Sequence, residues 1–133
     1  MRVVPLPPSV EGMTKPSYST LMTAGTLAYS VYALAKPRHL GKALTNSPLK
    51  QPQYDVVART FGFRDLVVSG LALAAPTAAG REQAMIGRIV LDLTDCALFT
   101  AEAKTTSGKA KVLLATLTWA GLNAAAVVKD RQA

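Results

Sequence analysis

A chain of 133 residues has room for one domain and one core. Half of its residues are hydrophobic, 17% are charged, and a mean hydropathy of +0.23 favours a membrane setting without deciding it. The net charge of +7 comes from basic residues placed between apolar segments (Lys36, Arg38, Lys42, Lys50, then Lys104, Lys109 and Lys111), not from a stripe interleaved with aromatics. This arrangement argues against nucleic acid as a partner and suits anionic lipid headgroups. A single cysteine, Cys96, and a single histidine, His39, exclude an internal disulfide, a cysteine zinc cluster and histidine-based triads or metal sites. His39 reads as an ordinary solvated loop residue, and no cofactor is expected.

In chain order, residues 1–16 carry Pro5, Pro7, Pro8 and Pro16 and read as an extended arm. Ser17 then caps a first helix, Tyr18 to Ala35, which holds no Asp, Glu, Lys or Arg and stops at Lys36-Pro37. Its length is about that of a bilayer span. The Ala33-Leu34-Ala35 ending has the small-residue pattern of a signal-peptide cleavage site, although the long proline-rich segment before it argues against that reading. Residues 37–54 read as a basic loop with Pro37, Pro48 and Pro52. A second helix is expected from Asp55 to Ala75, a third from Glu82 to Ala103 and a fourth from Lys109 to Val128. The expectation is an all-α domain over 17–133: a four-helix transmembrane bundle of up-down topology, integral and multi-pass. The two loops at one end carry 7 Lys or Arg against 5 at the other, a slight bias of those loops to the cytoplasm.

The informative feature is charge inside apolar helices. The second helix carries Arg59, Arg64 and Asp65; the third carries Arg88, Asp92 and Asp95 at i, i+4 and i+7, on one face continued by Met85 and Phe99. Asp65 lies fourteen residues before Ala79 in the intervening turn and Asp92 thirteen after it, so antiparallel packing puts both at one level. Exposure of all six charges to lipid costs roughly 3 kcal/mol each, so they must pair or face an internal cavity. Arg–Asp pairs could simply lock the two helices together. An apolar pair would do that at a smaller desolvation cost, which favours a functional site.

Carboxylates beside guanidiniums supply what proton-transfer chemistry needs: one carboxylate activates water, another protonates an ether or epoxide oxygen, and Arg orients both. The candidate acid–base pair is Asp92 and Asp65, with Asp95 next and Arg64 or Arg88 as orienters. Arg59, Tyr29, Phe61, Trp119 and Asn123 are candidate substrate contacts. Tyr29 also suits a packed or interfacial tyrosine, and Asn123 an interhelical hydrogen bond. Gly62, Ser69 and Ala72 form a small-residue seam beside Asp65. The absence of a P-loop, a G-x-S-x-G elbow and a dinucleotide fingerprint argues against nucleotide chemistry and serine hydrolysis.

The run Ala58-Arg59…Gly62…Arg64-Asp65-Leu66…Gly70, followed by Gly87-Arg88…Asp92…Asp95, resembles a family of small four-helix integral membrane proteins of bacteria and fungi whose function is unknown. The resemblance covers roughly a third of the chain and implies four spans and no activity. A looser similarity links the chain to small membrane-embedded epoxide hydrolases and cyclases of polyketide and terpenoid pathways. It is an analogy of acidic residues within a helical bundle and carries over no catalytic residue. The reading is therefore an acid–base enzyme that opens an epoxide, cyclises or isomerises a lipophilic small molecule. The alternatives are a proton- or solute-conducting bundle, an assembly subunit with structural Arg–Asp pairs, and a water-soluble bundle with basic loops. Membrane lipid is an expected partner, and a homodimer would help shelter the polar interior.

Overall fold

The computed structural model describes residues 17–133, so the expected N-terminal arm lies outside the described residues. The described chain is all-helical, with five α-helices: α1 (Tyr18–Ala35), α2 (Arg38–Leu44), α3 (Asp55–Ala74), α4 (Ala78–Glu102) and α5 (Thr106–Gln132). A 3-10 turn at Gln51–Tyr54 leads into α3.

Capping explains where three of the four long helices begin. The Ser17 hydroxyl accepts from the Thr20 N–H, Thr77 from Gly80 and Thr105 from Gly108, each satisfying a free first-turn donor. α4 and α5 therefore start earlier than the sequence suggests, because Gly80 and Gly108 lie inside the first turns and not in the loops. The basic connection is also not plain loop. Pro37 opens α2, whose Leu40, Ala43 and Leu44 lie at helical spacing.

α1 packs chiefly on α3 and α4 on α5, with α5 also beside α1 and α3 beside α4. The four long helices run alternately up and down. At one end Asp130 of α5 accepts from the Tyr18 and Ser19 N–H groups of α1 at 2.9 and 3.0 Å, and Arg131 pairs with Glu82 of α4. At the other end α2 folds across the bundle. Leu44, Tyr54, Ala103 and Val112 form an apolar plug there, and the Lys104 N–H donates to the Leu44 carbonyl at 2.9 Å.

Close approach at this end requires glycine. A Cβ on Gly41 would fall 2.3 Å from the Gln51 carbonyl oxygen. Gly41→Ala is expected to push the Gln51–Tyr54 turn away from α2 and loosen the connection while leaving the long helices intact. Limited proteolysis within residues 37–54 with unchanged helical circular dichroism would reveal it, and an unchanged cleavage pattern would refute it.

The distribution of polarity is inverted. The buried face of α1 is Ser19, Thr23, Thr26, Ser30 and Ala33; that of α3 is Ala58, Gly62, Asp65, Ser69 and Ala72. Outward-facing positions carry Leu21, Val31, Phe63, Leu71, Val90, Leu114 and other large apolar side chains. The α1 hydroxyls are buried at little cost because Thr23 and Ser30 donate to carbonyls one turn back, at 2.7 and 2.8 Å.

Among the described residues, by length and composition one helix, α5, is long and apolar enough to cross a membrane. Of the four expected spans, the other three fall short of that test. The inward Ser and Thr residues dilute the apolarity of α1, and charged residues interrupt α3 and α4.

Candidate functional site

α3 delivers Asp65 to the interior because Ala58, Gly62, Asp65, Ser69 and Ala72 recur at four- and three-residue steps. On that face a Cβ at Gly62 would stand 3.2 Å from both Ala33 Cβ and the Ser30 carbonyl, so α1 and α3 touch nearly backbone to backbone beside the site. α4 delivers Met85, Arg88, Asp92 and Asp95 from its buried face. Asp65, Arg88, Asp92 and Asp95 are each less than a tenth exposed.

Two guanidiniums connect the three carboxylates in different ways. Arg64 is a clamp between helices. Its Nε and Nη2 donate to Asp65 Oδ1 at 3.0 and 2.7 Å, while Nη1 and Nη2 donate to Asp95 Oδ1 and Oδ2 at 2.9 and 2.7 Å. It also lies 4.5 Å from the centroid of the Phe61 ring, which meets Phe99 edge-on at 5.0 Å. Arg88 is held loosely: Nη2 is 3.4 Å from Asp65 Oδ2 and Nε is 3.5 Å from Asp92 Oδ1. Arg88 Nε and Nη1 make no hydrogen bond although they are buried. Asp92 has one further contact, the Asn123 amide at 3.3 Å; that amide also donates to the Trp119 carbonyl at 2.9 Å.

A cavity of about 370 Å³ opens on this cluster. Asp65, Arg88, Asp92 and Asp95 form its polar part. Tyr29, Phe61, Phe99, Val112 and Trp119 supply apolar and aromatic wall, while His39, Leu40 and Ala43 of α2 close it at the basic end beside Lys111. The Trp119 Nε1–H donates to Thr26 Oγ1 at 3.0 Å and fixes the indole. The Lys36 carbonyl can only accept from His39 Nδ1, 2.8 Å away, so neutral His39 presents Nε2 to the Tyr29 hydroxyl at 2.7 Å. Past Arg88 and Asn123, toward the α3–α4 turn, the interior narrows to a void of about 10 Å³.

Of the expected site residues, Asp65, Asp92, Asp95, Arg88, Tyr29, Phe61 and Trp119 line the cavity. Arg64 stands behind its wall as a clamp, and Asn123 holds Asp92 from outside it. Arg59 does not join the set and is exposed. It follows Ala58 by one residue, about 100° around the helix, and its charge acts on Asp55 at the start of α3, not on the inner carboxylates. The inner balance is therefore two guanidiniums against three carboxylates. The expected loop position of His39 is corrected: it sits on α2 and borders the cavity, while its ring contacts remain exposed. The Leu40, Ala43 and Leu44 spacing was the available signal. Among the described residues, no group of three or more His, Cys, Asp or Glu could hold a metal ion.

Trp119→Phe keeps an aromatic ring at the position but loses the bond to Thr26 and the indole edge that packs at Gly25. It is expected to destabilise the bundle by about 1 kcal/mol. Equal unfolding midpoints for the two proteins would show that the bond contributes nothing.

Comparison with protein-family models, curated proteins and solved structures finds no match to this chain.

Proposed function

We propose that the protein is a multi-pass, membrane-embedded acid–base enzyme that binds a lipophilic small molecule in the central cavity and opens an epoxide, closes a ring or isomerises it. The observation that carries this reading is the meeting of an apolar-walled cavity with an incompletely satisfied Asp65–Arg88–Asp92 set. A clamp needs no cavity, and a purely structural pairing would not leave Arg88 Nη1 buried without a partner.

The membrane placement is supported by the inverted polarity. Leu71, Val90 and Leu114 are about two-thirds exposed, whereas Ser30 and Asn123 are almost wholly buried. An aqueous protein would bury those leucines and expose that serine; hydrocarbon reverses the preference.

For epoxide opening, Asp65 is the base, because its second oxygen faces Arg88 while Arg64 anchors the first. It takes a proton from water as the water oxygen bonds to an epoxide carbon. The carbon–oxygen bond of the ring breaks, and Asp92 gives a proton to the departing oxygen. The product is a diol, and proton return from Asp65 to Asp92 restores the site. Arg88, between the two carboxylates, positions both.

An assembly role has one specific observation in its favour, the Arg64 clamp with its four hydrogen bonds to Asp65 and Asp95, and the two roles are compatible. Conduction is less favoured by the narrowing beyond Arg88 and Asn123.

The test uses the full chain in lipid nanodiscs, a panel of lipophilic epoxides and heavy-oxygen water. A diol carrying one heavy oxygen, formed by the wild type and not by Asp92→Asn, is expected. No turnover of any epoxide, or equal turnover by both proteins, would reject the epoxide reaction. Resistance of the chain to alkaline carbonate extraction tests the membrane placement, and full release would refute it.

A further inference from the structure

The displacement of Arg59 changes the charge count of the site. Asp65, Asp92 and Asp95 face Arg64 and Arg88, so among the described residues the connected cluster is balanced while Asp92 holds the proton it supplies as acid and carries one more negative than positive charge once that proton has left. His39 and Lys111 lie at the far, α2 end of the cavity and have no ion pair with these carboxylates. An unbalanced charge in a low-dielectric interior is costly, and a bound species of opposite sign relieves the cost. The cavity walls favour the same sign: Tyr29, Phe61, Phe99 and Trp119 present π-systems that attract cations and not anions. Arg88, 5% exposed and lining the cavity, is only loosely held by Asp65 and Asp92, at 3.4 and 3.5 Å, so it does not cancel a further negative charge on Asp92 as a tight pair would.

We propose that the cavity selects lipophilic molecules that are cationic or acquire positive charge during reaction, and that it discriminates against carboxylates such as fatty acids. The inference deepens the acid–base reading and rests on it for the source of the developing charge. As an epoxide oxygen takes its proton, the carbon it leaves becomes electron-poor, and the excess carboxylate stabilises that charge. A lipophilic tertiary amine imitates this state without reacting. It therefore acts as an inhibitor that resembles the transition state.

Trp119, the one tryptophan in the sequence, lines the cavity and reports occupancy by its fluorescence. The full chain in nanodiscs is titrated with three cyclohexylmethyl probes matched in size: a dimethylamine, a methyl ether and a carboxylate. Each is referred to its partitioning into empty nanodiscs. The amine is expected to bind at least about tenfold more tightly than the ether, and the carboxylate more weakly than both. In Asp92→Asn, which keeps the shape but cannot become negative by giving its proton to the amine, the preference of amine over ether should fall to within about twofold.

Equal affinity of amine and ether in the wild type, or preference for the carboxylate, overturns the inference even if that variant fails to fold. An undiminished amine preference in a folded Asp92→Asn protein overturns it too. Amine selectivity in a protein that turns over no epoxide upholds the charge selection and rejects only the epoxide reaction. Turnover without amine selectivity does the reverse.

Discussion

Arg64→Leu is expected to destabilise the bundle by ~3–5 kcal/mol, the largest loss of any single substitution in the site. Arg64 is the main partner of two buried carboxylates on different helices, at 2.7 Å to each. Its removal leaves Asp95 with no cation within ion-pair distance and leaves Asp65 with only the 3.4 Å approach of Arg88. The loss is the desolvation of stranded carboxylates more than the value of the bonds themselves. The double variant Arg64→Leu/Asp95→Leu should regain much of the stability, because it removes a stranded charge together with its partner. Unfolding followed by circular dichroism in detergent measures all three proteins. A loss below about 1 kcal/mol for Arg64→Leu, the range of solvent-screened surface pairs, would show that the clamp is not buried in effect.

Asp92→Asn is expected to have the opposite profile: a loss in turnover of about 10²–10⁴-fold with stability nearly unchanged. Asp92 is the least engaged of the three carboxylates, with one guanidinium at 3.5 Å and one amide at 3.3 Å. The amide replacement keeps its shape and removes its proton exchange. Asp95→Asn is the control. Asp95 is bonded twice to Arg64, so its loss should appear mainly as instability. Rates and unfolding midpoints measured on the same preparations separate the two effects. If Asp92→Asn proved as unstable as Asp95→Asn, Asp92 would be a structural residue and the assigned role would fail.

Much of the site could be read from the sequence because it depends on periodicity. The i, i+4, i+7 spacing of Arg88, Asp92 and Asp95, and their distance from the α3–α4 turn, suffice to bring them to the level of Asp65. Side-chain reach is not periodic, and it separates Arg64 from Arg59. Arg59 stands one residue past inward-facing Ala58 and Arg64 one residue before inward-facing Asp65, but only Arg64 is bonded to Asp65 and Asp95 of the cluster. Helix starts were misjudged for a related reason. Gly80 and Gly108 look like loop residues until Thr77 and Thr105 are seen to cap the turns that contain them. The cover formed by α2 was hidden by three prolines and a run of basic residues. There, a seven-residue helix is stabilised by tertiary contact with Tyr54, Ala103 and Val112 and not by local propensity.

The bridging of α3 and α4 by Arg64 has a consequence for how the chain reaches a bilayer, if those helices span it as proposed. Neither helix can be released into lipid alone without exposing bare charge. Only three residues, Ala75, Pro76 and Thr77, connect them. The translocon would then have to hold α3 until α4 arrives and discharge the two as a neutralised hairpin. A long flexible insertion at Pro76 would delay that meeting and lower membrane yield, although every contact of the finished fold would be unchanged.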